Sequence, residues 1–381
     1  MNKIGASQES GISVLLDASP LLLRSAGVKN YVYYWARSLA EQAGRNELSL
    51  FPFLNGIGRF THLTSVIGPV ATVPRLGLLY AANVSPFPIL NWLTPASDIF
   101  HASHHALHPP RKARLTSTIY DMTCWLMPEL HVPANVKISG RIATAVFRPA
   151  SGLIAISECT KNDAVRLLGL APERIDVIYP GIARAFFETG KAPAAEIARR
   201  YGLVKPYALY VGSIEPRKNL STLLDAWLDL PDDVREAFDL VVAGPWGWGD
   251  RSVFDRLQAG IPGLRYLGYV PEADLPGLTT AATILAYVSL YEGFGLPVGQ
   301  AMASGVPVVT SNVSSLPEIV GDAGLLADPR SRGEIRTALE RLLLSPSLRA
   351  ELAQRGRQRA LGFTWAECAR KSWKFFERVA G

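Results

Sequence analysis

The sequence has little of what marks several large classes of protein. It contains only three cysteines in 381 residues, Cys124, Cys159 and Cys368, which are far apart and odd in number. They form neither a disulfide framework nor a spaced zinc site, so they favour a reducing compartment. The sequence also lacks an Asp-x-Asp pair, and no G-x-G-x-x-G follows its first strand-like segment. These absences argue against a nucleotide-bound metal site and against a nicotinamide dehydrogenase.

Charged residues are scarce as well, at 19% of the chain, and the formal net charge is +6. The basic excess lies in residues 1–190, which hold 17 lysines and arginines against 12 acidic residues, whereas the remainder holds 22 against 21. The sequence has no stripe of basic residues like that of a nucleic-acid-binding protein, so no nucleic-acid partner is expected. An anionic acceptor or an anionic membrane surface would explain the excess, and ordinary solvated charge is the alternative.

One uncharged segment, Leu76–Ser97, is long enough to span a bilayer. Prolines at positions 86, 88 and 95 interrupt it, and unsatisfied backbone is costly at membrane depth. The segment is therefore predicted to be a buried or surface-lying connection. The first residues contain no apolar leader. The expected location is cytoplasmic, and a peripheral contact with the inner membrane face is left open.

Short apolar segments alternate with helical segments along the chain. Eleven segments are predicted as strands: residues 12–17, 48–54, 97–103, 116–121, 152–157, 174–181, 207–213, 238–245, 264–270, 283–289 and 307–312. This alternation is typical of parallel sheets covered by helices on both faces. Because no strand is predicted between about residues 182 and 206, we expect two doubly wound α/β domains, residues 1–190 and 191–362. Ligands should bind in the cleft between them.

Two motifs place polar groups after predicted strands of the second domain. In SLYEGFGLPVGQAMASG, residues 289–305, a glycine-rich turn leads into a helix whose free N–H groups suit a phosphate. Glu292 is expected to face hydroxyl groups instead, because its charge repels phosphate oxygens. In GSIEPRKNL, residues 212–220, Arg217 and Lys218 suit a diphosphate. Taken alone, the first motif could be a plain strand–turn–helix connection and the second a solvated basic turn.

Both motifs belong to a longer series that identifies a family. With LVVAGP and LRYLGYVPEADLPGL between them, they closely resemble the C-terminal half of retaining glycosyltransferases of family 4, which have the GT-B fold of two Rossmann-like domains facing across a cleft. In the first half, DASPLLLRSAGVKNY resembles the family's glycine loop. TSTIYDMTCWLMPELH resembles its His-Asp strand end, and GLIAISECTKND its last N-domain strand and helix. The resemblance covers nearly the whole chain and is strongest in residues 207–328.

The resemblance implies a role for each matched residue. The implied catalytic residues are Glu292, Arg217, Lys218, Asp121 and Tyr120. The implied donor-binding residues are Gly27, Gly212, Ser213, Arg217, Lys218, Val270, Glu292, Gly293, Phe294, Gly295, Leu296 and Gln300. Neither a metal nor a cofactor is expected. The resemblance also implies that a last helix, in residues 363–381, crosses back onto the first domain.

Three positions depart from the family's pattern. Gln300 replaces the second acidic residue of the E-x7-E motif, Tyr120 replaces the histidine before Asp121, and Lys29 replaces the second glycine of the amino-terminal loop. An amide can accept one hydroxyl and donate to another, so Gln300 is expected to weaken donor binding without abolishing it. Tyr120 and Gln300 motivate an alternative function, a non-catalytic GT-B protein that binds sugar nucleotide or glycan without turnover.

Four of the six histidines lie within eight residues: His101, His104, His105 and His108. On a helix they could line one face and bind zinc, but two prolines follow them at once and argue against a helix there. The favoured interpretation is a histidine-lined loop over the cleft.

The resemblance predicts a retaining, metal-independent hexosyltransferase of cell-surface polysaccharide biosynthesis. EPRKNL and EGFGLPVGQAMASG closely match bacterial polysaccharide mannosyltransferases, which favours GDP-mannose as the donor, with a UDP-sugar as the alternative. A glycan or a lipid-linked glycan is the expected acceptor. Peripheral membrane contact through the basic first domain stays open.

Overall fold

Two parallel sheets make up the framework of the protein. The computed structural model describes residues 11–22, 27–54, 69–85, 87, 89–103 and 106–381. The strands are β1 (Ser13–Asp17), β2 (Glu47–Phe51), β3 (Ile99–Ala102), β4 (Arg114–Ile119), β5 (Gly152–Ala155), β6 (Ile175–Val177), β7 (Tyr207–Val211), β8 (Asp239–Ala243), β9 (Leu264–Gly268), β10 (Ile284–Tyr287), β11 (Val308–Ser311) and β12 (Gly324–Ala327).

Helices separate most of the strands. They are α1 (Gly27–Glu41), α2 (Pro69–Val84), α3 (Ile89–Leu93), α4 (Thr123–Leu126), α5 (Pro133–Ile142), α6 (Glu158–Leu168), α7 (Ala185–Glu188), α8 (Lys191–Arg200), α9 (Leu220–Leu228), α10 (Asp232–Ala237), α11 (Arg251–Gln258), α12 (Leu275–Ala281), α13 (Leu296–Ala303), α14 (Leu316–Val320), α15 (Arg332–Leu344), α16 (Pro346–Ala360) and α17 (Trp365–Ala380).

Each sheet has six strands, in the orders β2-β1-β3-β4-β5-β6 and β12-β11-β10-β7-β8-β9. The strand pairings of the described residues are parallel, as the alternating pattern predicted. In the second sheet the chain runs outward from β7 to β9 and then returns to the other side of β7 with β10. Ligands of such sheets bind beyond the carboxyl ends of the strands at this switch point. Strand β12 was not predicted, since its four residues GLLA are too few to show a period.

Helix α8 packs on a helix of the second half, and the last helix, α17, packs on a helix of the first half. Helix α8 packs against α12, where a side chain in place of Gly277 would collide with Ile197. Helix α17 packs against α1 of the first half. The Trp35 indole donates a hydrogen bond to Ser372 Oγ at 2.9 Å, and the Trp373 indole donates to the Leu39 carbonyl at 3.1 Å. The chain therefore returns to its first sheet after completing the second.

Most described residues of the uncharged segment 76–97 are helical and at least partly exposed. The segment forms the end of α2 and the short helix α3, and Tyr80, Val84 and Trp92 are exposed. Among the described residues, no helix combines the length and the apolar character needed to cross a bilayer.

His101 belongs to the core rather than to a loop over the cleft. It is a β3 residue in register with Thr116 of β4, and its ring nitrogens lie 3.0 Å from the hydroxyls of Thr116 and Thr118. Burial lowers its pKa to about 3, so the ring is neutral. The histidine-loop interpretation is therefore wrong for His101. His108 is exposed, and His104 and His105 lie outside the described residues, which hold no group of side chains suited to a metal.

Candidate active site

Arg217 lies at the carboxyl end of β7, on the short turn of Pro216–Lys218 that leads into α9. Its guanidinium donates to Glu215 Oε1 at 2.6 Å and to the Tyr291 carbonyl at 2.7 Å. The same group lies 3.0 Å from Glu292 Oε2. Burial by itself lowers the pKa of Arg217, but Glu292 and Glu215 outweigh it and raise the pKa, so the cation is permanent. Three partners hold this fork in a fixed orientation.

Lys218 is the second cation of the loop. Its Nζ donates to Glu292 Oε1 and to the Tyr287 hydroxyl, both at 2.6 Å, and lies over the Tyr287 ring. Burial, followed by repulsion from Arg217, lowers the pKa of Lys218, and Glu292 opposes that shift. Glu292, from the loop after β10, thus holds Lys218 of the predicted diphosphate-binding pair in place.

Glu292 pairs with both cations, a contact that the sequence did not predict. Its Oε1 also accepts a hydrogen bond from the Tyr287 hydroxyl at 2.8 Å, and the residue is buried. Burial alone would raise the pKa of Glu292, but Arg217 and Lys218 more than offset it and lower the pKa to about 2. With Glu215, the cluster contains two cations and two carboxylates, and its formal charge is zero.

The glycines of the EGFG turn bring the two halves of the protein together. A side chain on Gly293 would put its Cβ 1.8 Å from the carbonyl oxygen of Tyr120, at the end of β4, so only glycine fits this approach. Thr160 of α6 also donates to the Gly293 carbonyl, at 3.3 Å. Gly295 has φ of 92°, the left-handed conformation that glycine adopts most readily, and α13 begins directly after it. Helix α13 begins four residues after Glu292, and the N–H groups of Val298 and Gly299 in its first turn bond to the Gly295 carbonyl.

Tyr120 and Asp121 form the part of the site that belongs to the first half. The Tyr120 ring packs edge-on against Tyr31, with ring centroids 5.1 Å apart, and burial raises the pKa of Tyr120 well above its ordinary value. Its hydroxyl therefore stays protonated. Asp121 Oδ1 accepts hydrogen bonds from the Thr123 backbone N–H at 3.1 Å and from its hydroxyl at 2.7 Å. These two hydrogen bonds, both within the first half, orient the Asp121 carboxylate.

The other predicted donor-binding residues are more scattered. Gly212 and Ser213 follow β7 directly, Phe294 is buried, and Leu296 begins α13.

Val270, beyond β9, is buried. Gln300 is half-buried on α13, and its amide makes no hydrogen bond within the described part of the chain. Gly27 begins α1, where a Cβ would meet open space, and Lys29 is buried. The hydrogen bonds and ion pairs of the described residues do not connect Gly27, Val270 or Gln300 to the cluster.

Several side chains that contact the cluster or join the two halves were not predicted from the sequence. Glu215 is part of the EPRK motif and could have been found there, as a carboxylate two residues before an arginine. Glu318 of α14 was beyond sequence reasoning, because its partners are far away in the chain. Its carboxylate accepts hydrogen bonds from the backbone N–H groups of Glu158 and Cys159, at 2.8 and 3.1 Å, and from the Tyr179 hydroxyl at 2.6 Å.

Glu272, in the loop after β9, bridges the halves at another point. It accepts hydrogen bonds from Asn30 Nδ2 at 2.8 Å and from the Tyr34 hydroxyl at 3.3 Å, both on α1. Through these hydrogen bonds, Glu272 and Glu318 join loops at the carboxyl edges of the two sheets.

Comparison with known proteins agrees with this arrangement. Residues 196–359 match the family model described as glycosyl transferases group 1. The O-antigen chain mannosyltransferase B of Escherichia coli is 36% identical over 273 residues, which are 71% of this chain and 71% of that protein. The serotype-specific mannosyltransferase WbdA of Escherichia coli is 26% identical over 241 residues, 62% of this chain but only 30% of that longer protein.

Among solved structures, HepE of Anabaena in complex with UDP and glucose superposes with a TM-score of 0.71 at 18% identity, covering 96% of this chain and 100% of that one. The two parallel six-stranded sheets therefore form the predicted GT-B fold. With 36% identity to the first relative over more than two thirds of each chain, the protein belongs to the group 1 glycosyl transferases.

Proposed function

We propose that the protein is a retaining, metal-independent hexosyltransferase of glycosyltransferase family 4 that transfers mannose from GDP-mannose to a glycan or lipid-linked acceptor of a cell-surface polysaccharide. A UDP-sugar is the second candidate for the donor. In this proposal residues 191–362 bind the donor, residues 1–190 bind the acceptor, and residues 363–381 tie the two together. The enzyme works in the cytoplasm, at the inner membrane face. The buried cluster of Arg217, Lys218 and Glu292 carries the proposal, and the names of the mannosyltransferase relatives support it.

The cluster suits a leaving diphosphate. Breaking the sugar–phosphate bond puts negative charge on the phosphate oxygens and positive charge on the anomeric carbon. Arg217 and Lys218 are already oriented and desolvated, so they stabilise the new charge without reorganisation. The N–H groups at the start of α13 add a positive dipole end. As the acceptor oxygen bonds to the anomeric carbon, its proton passes to the departing phosphate on the same face of the sugar.

Glu292 acts twice in this proposal. Before the donor binds, its carboxylate neutralises Arg217 and Lys218. An incoming diphosphate competes for the same N–H groups and displaces Glu292, which then accepts hydrogen bonds from the sugar hydroxyls. The pairing in the ligand-free protein and the sugar-binding role expected from the sequence are then successive states of one side chain.

A Glu292→Gln variant tests this exchange. It should bind GDP about tenfold more tightly than wild type, because an uncharged amide competes less for the cations, and it should transfer sugar far more slowly. Titration calorimetry with GDP and a radiolabelled transfer assay would measure the two effects. Weaker GDP binding by the variant would show that the carboxylate does not compete with the diphosphate.

The donor itself is identified first by a thermal-shift screen of nucleoside diphosphates and their sugars in the presence of EDTA. A ligand that binds the folded protein raises Tm by mass action. A shift with GDP and GDP-mannose supports the proposal, and a shift with UDP alone changes the donor. The anomeric configuration of the product, read by NMR, tests retention. Tight donor binding without transfer to any acceptor would instead support the non-catalytic alternative, which the transferase relatives do not favour.

A further inference from the structure

Helix α2 carries an apolar stripe on its outer side. The side chains of Val70, Val73, Tyr80 and Val84 are 89%, 68%, 71% and 61% exposed. Their spacing of three, four and seven residues puts them on one side of the helix, together with Gly77, beside which a Cβ would meet open space. The stripe is therefore continuous along most of the helix.

The inner side of α2 is mainly apolar too, since Leu79 and Ala82 belong to the buried hydrophobic core, and Thr72 is also buried. A surface helix normally has a polar outer side, and a helix that is apolar all round is normally covered on all sides. Arg75 is the single charged residue of α2, and its guanidinium donates to the carbonyls of Pro52 and Phe53. It does not make the outer stripe polar.

Helix α3 and Phe87 before it expose further apolar side chains. Phe87, Trp92 and Leu93 are 64%, 70% and 46% exposed. Seven of the fifteen exposed large hydrophobic residues of the described ranges thus lie between residues 70 and 93. Such concentration marks an interaction surface rather than chance exposure. We call these seven residues the α2–α3 face.

Basic charge borders this face. Residues 48–120 contain one acidic residue, Asp98, and five basic ones. Asp98 is bound to Ser13, near the start of β1. The backbone N–H of Arg111 donates to Asn91 Oδ1 on α3, so Arg111 and Lys112, both exposed, lie next to Trp92. Aromatic and aliphatic side chains beside lysine and arginine, without acids, are the chemistry that binds an anionic lipid surface.

We infer that the α2–α3 face docks on an anionic bilayer, with its apolar side chains between the headgroups and with Arg111 and Lys112 on lipid phosphates. A two-fold dimer through the same face would instead bring these cations of two copies together with no acid to pair them. The inference rests on the membrane contact included in the proposed function and gives it a location. It does not depend on which sugar is transferred.

Vesicle co-sedimentation of the full chain tests the inference. Wild type should bind vesicles of phosphatidylcholine and phosphatidylglycerol and should bind pure phosphatidylcholine much less. Tyr80→Ser with Trp92→Ser should weaken binding about tenfold or more, since both rings lose their place in the interface. Arg111→Glu with Lys112→Glu should abolish the preference for phosphatidylglycerol.

A matched pair of double variants separates this surface from general exposure. Val73→Ser with Leu93→Ser removes one valine and one leucine from the face, whereas Val204→Ser with Leu344→Ser removes the same two residue types elsewhere, where they are 87% and 57% exposed. Only the first pair should weaken binding. Equal effects of both pairs, unchanged binding, or a wild-type dimer that the first pair dissociates would overturn the inference.

Failure of this inference is distinguishable from failure of the proposed reaction. GDP binding is measured by thermal shift without vesicles, and the face variants should keep it, because their positions are exposed and lie in the first half. A chain that binds vesicles through the face but shifts with no nucleotide would overturn the transferase proposal alone. A protein whose Tm rises with GDP but which does not bind anionic vesicles would overturn the docking surface alone.

Discussion

The carboxyl edges of the two sheets face each other but are built from different chemistry. The edge of the second sheet gathers Arg217, Lys218, Glu215 and Glu292 into a buried network in which each charge has at least one opposite partner. The edge of the first sheet presents the uncharged ring of Tyr120 next to a single carboxylate, Asp121, which Thr123 binds. In the proposed reaction, the positive charge that receives the leaving diphosphate is concentrated on the second half, and the first half binds the acceptor.

The largest effect is expected from disrupting the charged edge of the second sheet. Arg217→Ala should weaken GDP binding about a thousandfold, since it removes two charge-assisted hydrogen bonds worth about 2 kcal/mol each. Arg217→Lys should lose less GDP affinity, because it keeps the positive charge but not the two-pronged guanidinium. Calorimetry would compare both with Arg148→Ala, an exposed arginine of the first half. Undiminished binding by Arg217→Ala would place the diphosphate elsewhere.

Acid should weaken the same edge. The pKa of Glu292 falls from 4.5 to about 2 on folding, so the carboxylate contributes stability above its unfolded pKa and loses it as pH falls toward 2. The loss is about 3 kcal/mol in the free energy of unfolding. Urea unfolding at several pH values should show this loss for wild type and for the exposed control Glu196→Gln, but not for Glu292→Gln. Identical pH profiles for wild type and Glu292→Gln would refute the assignment.

The next largest effect is expected from separating the carboxyl edges of the two sheets. Gly293→Ala forces the turn away from the Tyr120 carbonyl, and a displacement of about 1 Å at a reacting site can cost about a hundredfold in rate. Transfer should fall by that order, whereas GDP affinity, which in the proposal depends mainly on Arg217 and Lys218, should fall less. Gly333→Ala, where a Cβ meets nothing within 4 Å, is the control. A fully active Gly293→Ala enzyme would show that catalysis does not need this contact.

The smallest effect concerns the ribose. Gln300→Glu restores the acidic residue of the family motif and should tighten donor binding about fivefold, because a carboxylate accepts two hydroxyls more strongly than an amide does. Calorimetry with GDP and with a series of nucleotides lacking ribose hydroxyls would measure it. An unchanged affinity would mean that position 300 does not touch the ribose.

The sequence predicted the framework well because parallel strands leave a simple pattern. Eleven of the twelve strands correspond to predicted segments, and the loops after β7 and β10 converge as expected. The pairing of Glu292 was missed, because a motif fixes the order of side chains but not which partner each meets before a ligand arrives.

Long-range neighbours explain the other differences. His101 looked like part of a polar loop, but its partners Thr116 and Thr118 come from the adjacent strand. The helix over residues 69–84 was unexpected because Pro74 lies inside it. The contacts of Glu272 and Glu318 join segments more than a hundred residues apart, and no local pattern encodes them.

The docking of α17 on the first half has a consequence for synthesis. Phe375 and Phe376 of α17 are buried and complete the core beside α1 and β5. During translation, the ribosome finishes β6 about 200 residues before it finishes α17, which at ordinary elongation speed is a delay of roughly 10–40 s. Throughout that interval the first half lacks Phe375 and Phe376, so the apolar surface that α17 covers in the folded protein is open to water.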